Sequence, residues 1–231
     1  MKIAIIPARG GSKRIPRKNI RDFLGVPILA RTIKNVLDSG VFDKVVVSTD
    51  SEEVRSVAIA AGAEVPFLRS VEASQDTATL HQAVCETITN LPDGQYGEYS
   101  ACVLPTAVML SAKHIQKAWE TLQSSEGDSL FSVQKFPRPV QRALIENEDG
   151  YLVPREKKYF QGRTQDLDPC YFDAGQIYFF KSDDIINRSR VVSEEALPYL
   201  LEEVEVQDID VEEDWKIAEL KFKLTNKNNE Q

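Results

Sequence analysis

A chain of 231 residues with 42% hydrophobic and 28% charged side chains suits a single α/β domain with a sizeable core, and carries no compositional mark of disorder. Its net charge of −8, without a polybasic tail, argues against nucleic acid or an anionic membrane as principal partner. No apolar run approaches a membrane span, and the three cysteines (Cys85, Cys102, Cys170) form no C-x-x-C pair, which points to a reduced, cytoplasmic protein without a zinc site or disulfide framework.

Lys2 to Ile6 is a short β-rich run bounded by Pro7, as in a buried first strand. After a polar loop, Leu29, Ile33, Val36 and Leu37 recur at helical spacing until Gly40. Lys44 to Ser48 reads as a second buried strand, and Asp50 with Glu53 as a capping box for a helix that Gly62 ends. Glu64 to Leu68 is expected as a strand, Thr79 to Thr89 as a helix, and Ser100 to Leu104 as a strand. A helix from Ser111 to Leu122 and a strand from Asp128 to Gln134 follow. Strands are expected again at Gln176 to Phe180 and Val204 to Ile209. The last helix runs from Val211 to about Leu224, with a polar, frayed tail from Thr225 to Gln231. The alternation predicts an α/β fold, a mostly parallel sheet with helices on both faces. Ligands of such sheets sit beyond the carboxyl ends of the strands, here the loops after Ile6, Thr49 and Leu104. Residues 135–172, punctuated by Pro137, Pro139, Pro154 and Pro169, break the pattern and read as an inserted hairpin or arm of the one domain spanning 1–231. His81 and His114 lie far apart and read as surface or edge residues rather than metal ligands.

The loop after the first strand gathers Arg9, Lys13, Arg14, Arg17 and Lys18 around Gly10, Gly11 and Ser12. Adjacent glycines allow backbone N–H groups to approach an anion, and the cations suit a polyphosphate. Neither a Walker A sequence nor G-x-G-x-x-G is present, which weakens ATPase and dinucleotide readings. Near the other end, Asp208 and Asp210 stand one residue apart. In extended chain both carboxylates project to one side, an arrangement suited to Mg²⁺ completed by phosphate oxygens and water. The same residues also fit a helix start, since Asp210 and Glu213 form a capping-box pattern. Spacing leaves both readings open.

The opening I-I-P-A-R-G-G-S-K-R-I-P-R-K-N strongly resembles that of CMP-sialate synthetases and related nonulosonate cytidylyltransferases. Val47-Ser48-Thr49-Asp50, Phe67-Leu68-Arg69, Gln75-Asp76-Thr77-Ala78 and Asp208-Ile209-Asp210 match further motifs, in the family's order, from Lys2 to about Glu219. The resemblance implies a Rossmann-like nucleotidyltransferase sheet, a homodimer formed partly through the arm, and transfer of CMP from CTP to an anomeric hydroxyl. It implies phosphate and nucleotide contacts at Arg9, Lys18 and Asn19, with Ala8 and Gly10 to Ser12 lining the loop and Arg69, Asp76 and Thr77 beside them. It assigns Mg²⁺ (or Mn²⁺) to Asp208 and Asp210, with Arg9, Lys18 and the two aspartates as the catalytic set. One departure is Leu104-Pro105-Thr106-Ala107-Val108-Met109-Leu110, which lacks the glutamine and arginine of the Q-P-T-S-P-L-R loop of sialate members. No side-chain general base is evident.

For the sugar, the region from Gly162 to Pro169 resembles the family's sugar site. Phe172-Asp173-Ala174-Gly175-Gln176, with Pro139 to Ala143 upstream, resembles pseudaminic acid cytidylyltransferases rather than the R-P-N-G of sialate members. Gln141, Arg142, Arg163, Gln165, Asp173 and Gln176 are the sugar-contact candidates, Arg142 or Arg163 for the carboxylate. Asp173-Ala174-Gly175 reads equally as a turn before a strand. Alternatives are activation of N-acetylneuraminate, legionaminate or 3-deoxy-manno-octulosonate, a catalytically silent nucleotide sensor, and an assembly protein built around the arm.

Overall fold

The computed structural model describes residues 1–92 and 96–229. In chain order its strands are β1 (Ile3–Pro7), β2 (Asp22–Phe23), β3 (Val26–Pro27), β4 (Lys44–Ser48), β5 (Tyr99–Val103), β6 (Ser129–Lys135), β7 (Leu144–Glu146), β8 (Leu152–Pro154), β9 (Tyr171–Lys181) and β10 (Leu197–Leu200). The α-helices are α1 (Ile28–Asp38), α2 (Glu52–Ala60), α3 (Leu80–Asn90), α4 (Ala112–Gln123) and α5 (Glu212–Asn229). The main sheet has the order β10-β6-β9-β5-β1-β4. β1 pairs in parallel with β4 and β5, and β10 with β6; β9 lies antiparallel between β5 and β6, the one reversed strand of the six. The sheet is therefore mixed and mostly parallel, as the sequence pattern predicts.

The pleat of β1 shows why both faces need cover. Ala4 and Ile6 pack with Leu29 and Ile33 of α1, Val54 of α2 and Ile115 of α4 on one side. Ile3 and Ile5 pack with Val84 and Ile88 of α3 on the other. Alternate side chains of a strand point to opposite faces, so a continuous apolar run is what a doubly covered strand requires. A third cluster lies at the carboxyl edge, where Ile15, Phe23, Val108, Met109 and Ile209 meet Trp215 and Ala218 of α5. It binds the basic loop, the loop after β5 and the aspartate segment into one unit.

Several expectations are corrected. Glu64 to Leu68 forms only isolated bridges, Glu64 to Val46 and Leu68 to Thr49, because Pro66 has no N–H to continue a ladder. Val204 to Ile209 is not a strand: Glu203–Glu205 makes a 3-10 turn, the rest is unpaired, and the edge strand is β10. The cap of α2 is Ser51, whose Oγ accepts from the Val54 N–H; Asp50 instead accepts from the Gly10 N–H at 2.8 Å. α5 runs beyond Leu224 to Asn229, through most of the stretch expected to fray; residues 230 and 231 of that tail lie outside the described residues. Asp173-Ala174-Gly175 lies within β9, not before it. Gly175 has φ 61°, and the β6–β9 register shifts between Phe131 and Val133. Within 135–172, β7 and β8 form a two-stranded antiparallel hairpin apart from the main sheet.

Candidate active site

The basic loop leaves β1 at the carboxyl edge, where the Ala8 N–H still donates to the Ser48 carbonyl of β4 at 2.9 Å. Gly10 is required by a close approach: a Cβ there would stand 2.7 Å from Ser51 Cβ. Gly11 meets no such neighbour. Ile15 is fully buried, so the cations on either side of it are held on an anchored backbone. Arg17, with φ 57°, turns the chain into the 3-10 segment Lys18–Ile20, which sets Lys18 and Asn19 against the sheet edge. Asn19 Nδ2 donates to the Arg9 carbonyl at 2.9 Å, and its buried Oδ1 has no hydrogen-bond partner.

The loop's cations are met by carboxylates from distant parts of the chain. Arg9 Nη1 lies 2.8 Å from Asp76 Oδ1, Lys13 also binds Asp76, and Arg17 binds Glu53. The hydrogen bonds from Lys13 and Arg9 hold the Asp76 carboxyl below the usual carboxylate range. Arg14 Nη2 lies 2.8 Å from Asp210 Oδ1 and Lys18 Nζ 3.7 Å from the same oxygen. Arg69 is buried, which pulls its pKa down against the opposing charges of Asp50 and Glu86; its Nε donates to Ser74 Oγ at 3.1 Å.

Ile209 is 0% exposed, and this fixes the aspartates on either side of it. With alternate side chains facing opposite ways, burying Ile209 turns Asp208 and Asp210 outward without any strand ladder. The Asp210 carboxylate does not cap α5. The Asp214 carboxylate does, accepting from the N–H groups of Asp210 and Val211 at 2.9 Å each. Partial burial, then the neighbouring charge of Asp210, raise the Asp208 pKa, with Lys18 opposing.

Two clefts open here. One, of about 350 Å³, is lined by Arg9, Lys18, Asn19, Arg69, Asp76, Leu104, Pro105, Thr106, Asp208 and Asp210. Gly11, Ser12 and Thr77 line a shallow concavity beside it, with Arg9 and Asp76. The other, of about 740 Å³, is lined by Lys135, Phe136, Phe172, Asp173, Leu200 and Asp208, among others. Asp208 belongs to both walls. The strand-end rule pointed to Leu104–Thr106 as a place to look, whereas Arg14, which reaches Asp210, carried no sequence signal beyond its charge.

The remaining candidates are dispersed. Asp173 lines the larger cleft, but its carboxylate accepts from the Gly175 N–H at 2.8 Å and from the Tyr178 hydroxyl at 2.9 Å. Burial and that carboxylate push the Tyr178 hydroxyl pKa up. Gln176 is 1% exposed, its Nε2 donates to the Ala174 and Gly175 carbonyls, and it lines neither cleft. Gln141, Arg142, Arg163 and Gln165 lie on the insert and line neither cleft. Gln141 donates to the Asp168 carbonyl, Arg142 to the Tyr159 and Gly162 carbonyls, and Arg163 pairs with Asp166.

A mostly parallel sheet whose carboxyl edge bears a cation-lined cleft beside an aspartate pair is an arrangement suited to a phosphorylated ligand. A model of the cytidylyltransferase family matches residues 3–224, and the chain belongs to that family, with CTP as substrate. It is 37% identical over 225 residues to pseudaminic acid cytidylyltransferase of Campylobacter jejuni subsp. jejuni serotype O:23/36, covering 97% of each chain. It is 34% identical over 230 residues to CMP-N,N'-diacetyllegionaminic acid synthase of Legionella pneumophila, covering 96% of each. Among solved structures, a CMP:2-keto-3-deoxy-manno-octonic acid synthetase complexed with CTP has the same fold, with a TM-score of 0.70 at 14% identity over 98% of this chain and 99% of that one.

Proposed function

We propose that the chain transfers CMP from CTP to the anomeric hydroxyl of pseudaminic acid, releasing pyrophosphate. The observation that carries this reading is Asp208, which borders both the cation-lined cleft and the larger one. CTP in the first and the sugar in the second would meet at that wall. The anomeric oxygen attacks the α-phosphorus, its proton passes to solvent, and the bond to pyrophosphate breaks. Arg9 and Lys18 offset the charge that grows on the leaving pyrophosphate, and the cleft walls hold the reactants in line.

A divalent cation, Mg²⁺ or Mn²⁺, fits Asp208 and Asp210. The donors are carboxylates, and burial together with the neighbouring charge of Asp210 disfavours the ionised Asp208, a penalty that a cation relieves. Among the described residues no three His, Cys, Asp or Glu side chains are grouped to hold a metal, so other positions would fall to phosphate oxygens and water. When bound, such an ion supplies Lewis-acid stabilisation of phosphate charge and favours the ionised form of the incoming hydroxyl.

Support for the sugar comes from the Campylobacter relative and from the Asp173–Gln176 segment. The Legionella relative favours a second reading, with legionaminic acid as acceptor. The exposed Leu144, Ile145, Tyr151 and Leu152 of the β7–β8 hairpin support a homodimer formed through the insert. In this reading Gln141, Arg142, Arg163 and Gln165 serve the sugar of a second subunit. Free thiols at Cys85, Cys102 and Cys170, and the lack among described residues of any helix long and apolar enough to cross a membrane, support a cytoplasmic enzyme. The test is pyrophosphate release from CTP and Mg²⁺ with a panel of nonulosonic acids. Release with pseudaminate is expected; release with none of them would refute the reading.

A further inference from the structure

Arg14 has no part in the reaction as described above, yet it holds one of its two carboxylates. Its Nη2 donates to Asp210 Oδ1 at 2.8 Å. Lys18, the other cation nearby, is 3.7 Å from that oxygen and gives its hydrogen bond to the Ile209 carbonyl. Asp208 forms no ion pair among the described residues. One carboxylate of the pair is thus neutralised from within the chain while the other is not.

The contact is built to exchange. The Arg14 side chain is 65% exposed, and an exposed ion pair is weak and easily traded for another anion. Its backbone is not free, because Ile15 is fully buried in the cluster that also contains Ile209. Arg14 therefore stays beside the aspartates while its long side chain can swing. A triphosphate in the neighbouring cleft would offer a guanidinium a stronger partner, since it carries more charge and can accept two parallel bonds, whereas Asp210 accepts only one from Arg14.

We propose that Arg14 is an internal counter-ion that occupies Asp210 until nucleotide draws it away, so that CTP and the divalent cation load together. The inference rests on the metal reading of Asp208 and Asp210. A cation arriving alone must compete with Arg14, and its apparent affinity is the intrinsic one multiplied by the fraction of molecules in which Asp210 is free.

The test measures binding of Mn²⁺ alone to the full chain, by the electron paramagnetic resonance signal of the free ion, with and without saturating CTP. Without CTP, Arg14→Ala should bind Mn²⁺ roughly twofold to sixfold more tightly than wild type. Lys13→Ala removes the same charge from the same loop but pairs with Asp76, and should stay close to the wild-type value. The gain in Mn²⁺ affinity on adding CTP should be smaller in Arg14→Ala than in wild type. Equal Mn²⁺ affinity in wild type and Arg14→Ala would overturn the proposal, as would an equal rise in Lys13→Ala. Asp210→Asn binding Mn²⁺ as tightly as wild type would instead remove the metal site itself, a different failure.

Discussion

Lys18 Nζ donates to the Ile209 carbonyl at 2.6 Å, a bond spanning 191 positions that ties the loop after β1 to the segment bearing both aspartates. Lys18 therefore brings charge to the cation-lined cleft and also steadies the wall that the two clefts share. Removing it should affect catalysis far more than folding. For Lys18→Ala we expect kcat/KM to fall by the equivalent of roughly 2–4 kcal/mol, the usual loss for a charged donor where charge develops. Steady-state kinetics with thermal melting of both proteins checks this; unchanged turnover would remove Lys18 from the mechanism.

Asp208 should trade stability for function. A carboxyl whose folded pKa is raised destabilises the folded state above that pKa, and the penalty disappears as pH falls through it toward the unfolded value near ~4. Without metal, Asp208→Asn should melt roughly 1–2 °C higher than wild type near neutral pH, an effect kept small by the solvent exposure of Asp208. The gap should close on acidification, and activity should be lost at every pH. Calorimetry of both proteins across the acid range decides it; a variant less stable at neutral pH would contradict a penalty on ionised Asp208 from burial and the neighbouring Asp210 charge.

Asp214 and Asp210 should separate cleanly. Asp214 accepts from two backbone N–H groups at the start of α5, so Asp214→Ala should lower stability by roughly 0.5–2 kcal/mol, as for other helix caps. Asp210→Ala loses an exposed ion pair to Arg14 and a longer one, at 3.7 Å, to Lys18, and should cost less than about 1 kcal/mol while abolishing turnover. Chemical denaturation and kinetics of the two variants give the comparison; the reverse order of stability would restore Asp210 as the cap.

Asp173 and Tyr178 should respond unequally to truncation. Asp173→Ala leaves the buried Tyr178 hydroxyl without its partner, which costs about 1–3 kcal/mol. Tyr178→Phe removes that hydroxyl and leaves Asp173 to the Gly175 N–H and solvent, so it should cost less. Equal losses in denaturant titrations would mean that the hydroxyl is not held by Asp173.

Much of the framework was legible because local chemistry decided it. Lys44 to Ser48 is an unbroken β-rich run and is β4 to the residue; Ser111 caps α4 as its sequence announces. The failures fall where contacts distant in sequence decided instead. Val204 and Val206 alternate with acids as a strand would, but only Val206 and Ile209 are buried and nothing pairs with the segment. Leu197 to Leu200, with Pro198, looks a poor strand and is tolerated as β10 because it lies at the sheet edge. Asp50 and Ser51 are both good capping residues, and the choice between them turned on Gly10, forty positions away. The pairing of Arg14 with Asp210 and the engagement of Asp173 by Tyr178 depend on tertiary placement, which one sequence does not display.

Acceptor choice tests the central claim most directly. Sites organised around specific hydrogen bonds reject an analogue that leaves buried polar groups unpaired, by as much as roughly 10⁴-fold. The measurement is kcat/KM for pseudaminate and for N-acetylneuraminate, with CTP and Mg²⁺ and pyrophosphate release as the signal. A large preference for pseudaminate is the result this account predicts. Comparable use of the two sugars, or preference for N-acetylneuraminate, would contradict it and leave only the cytidylyltransferase assignment standing.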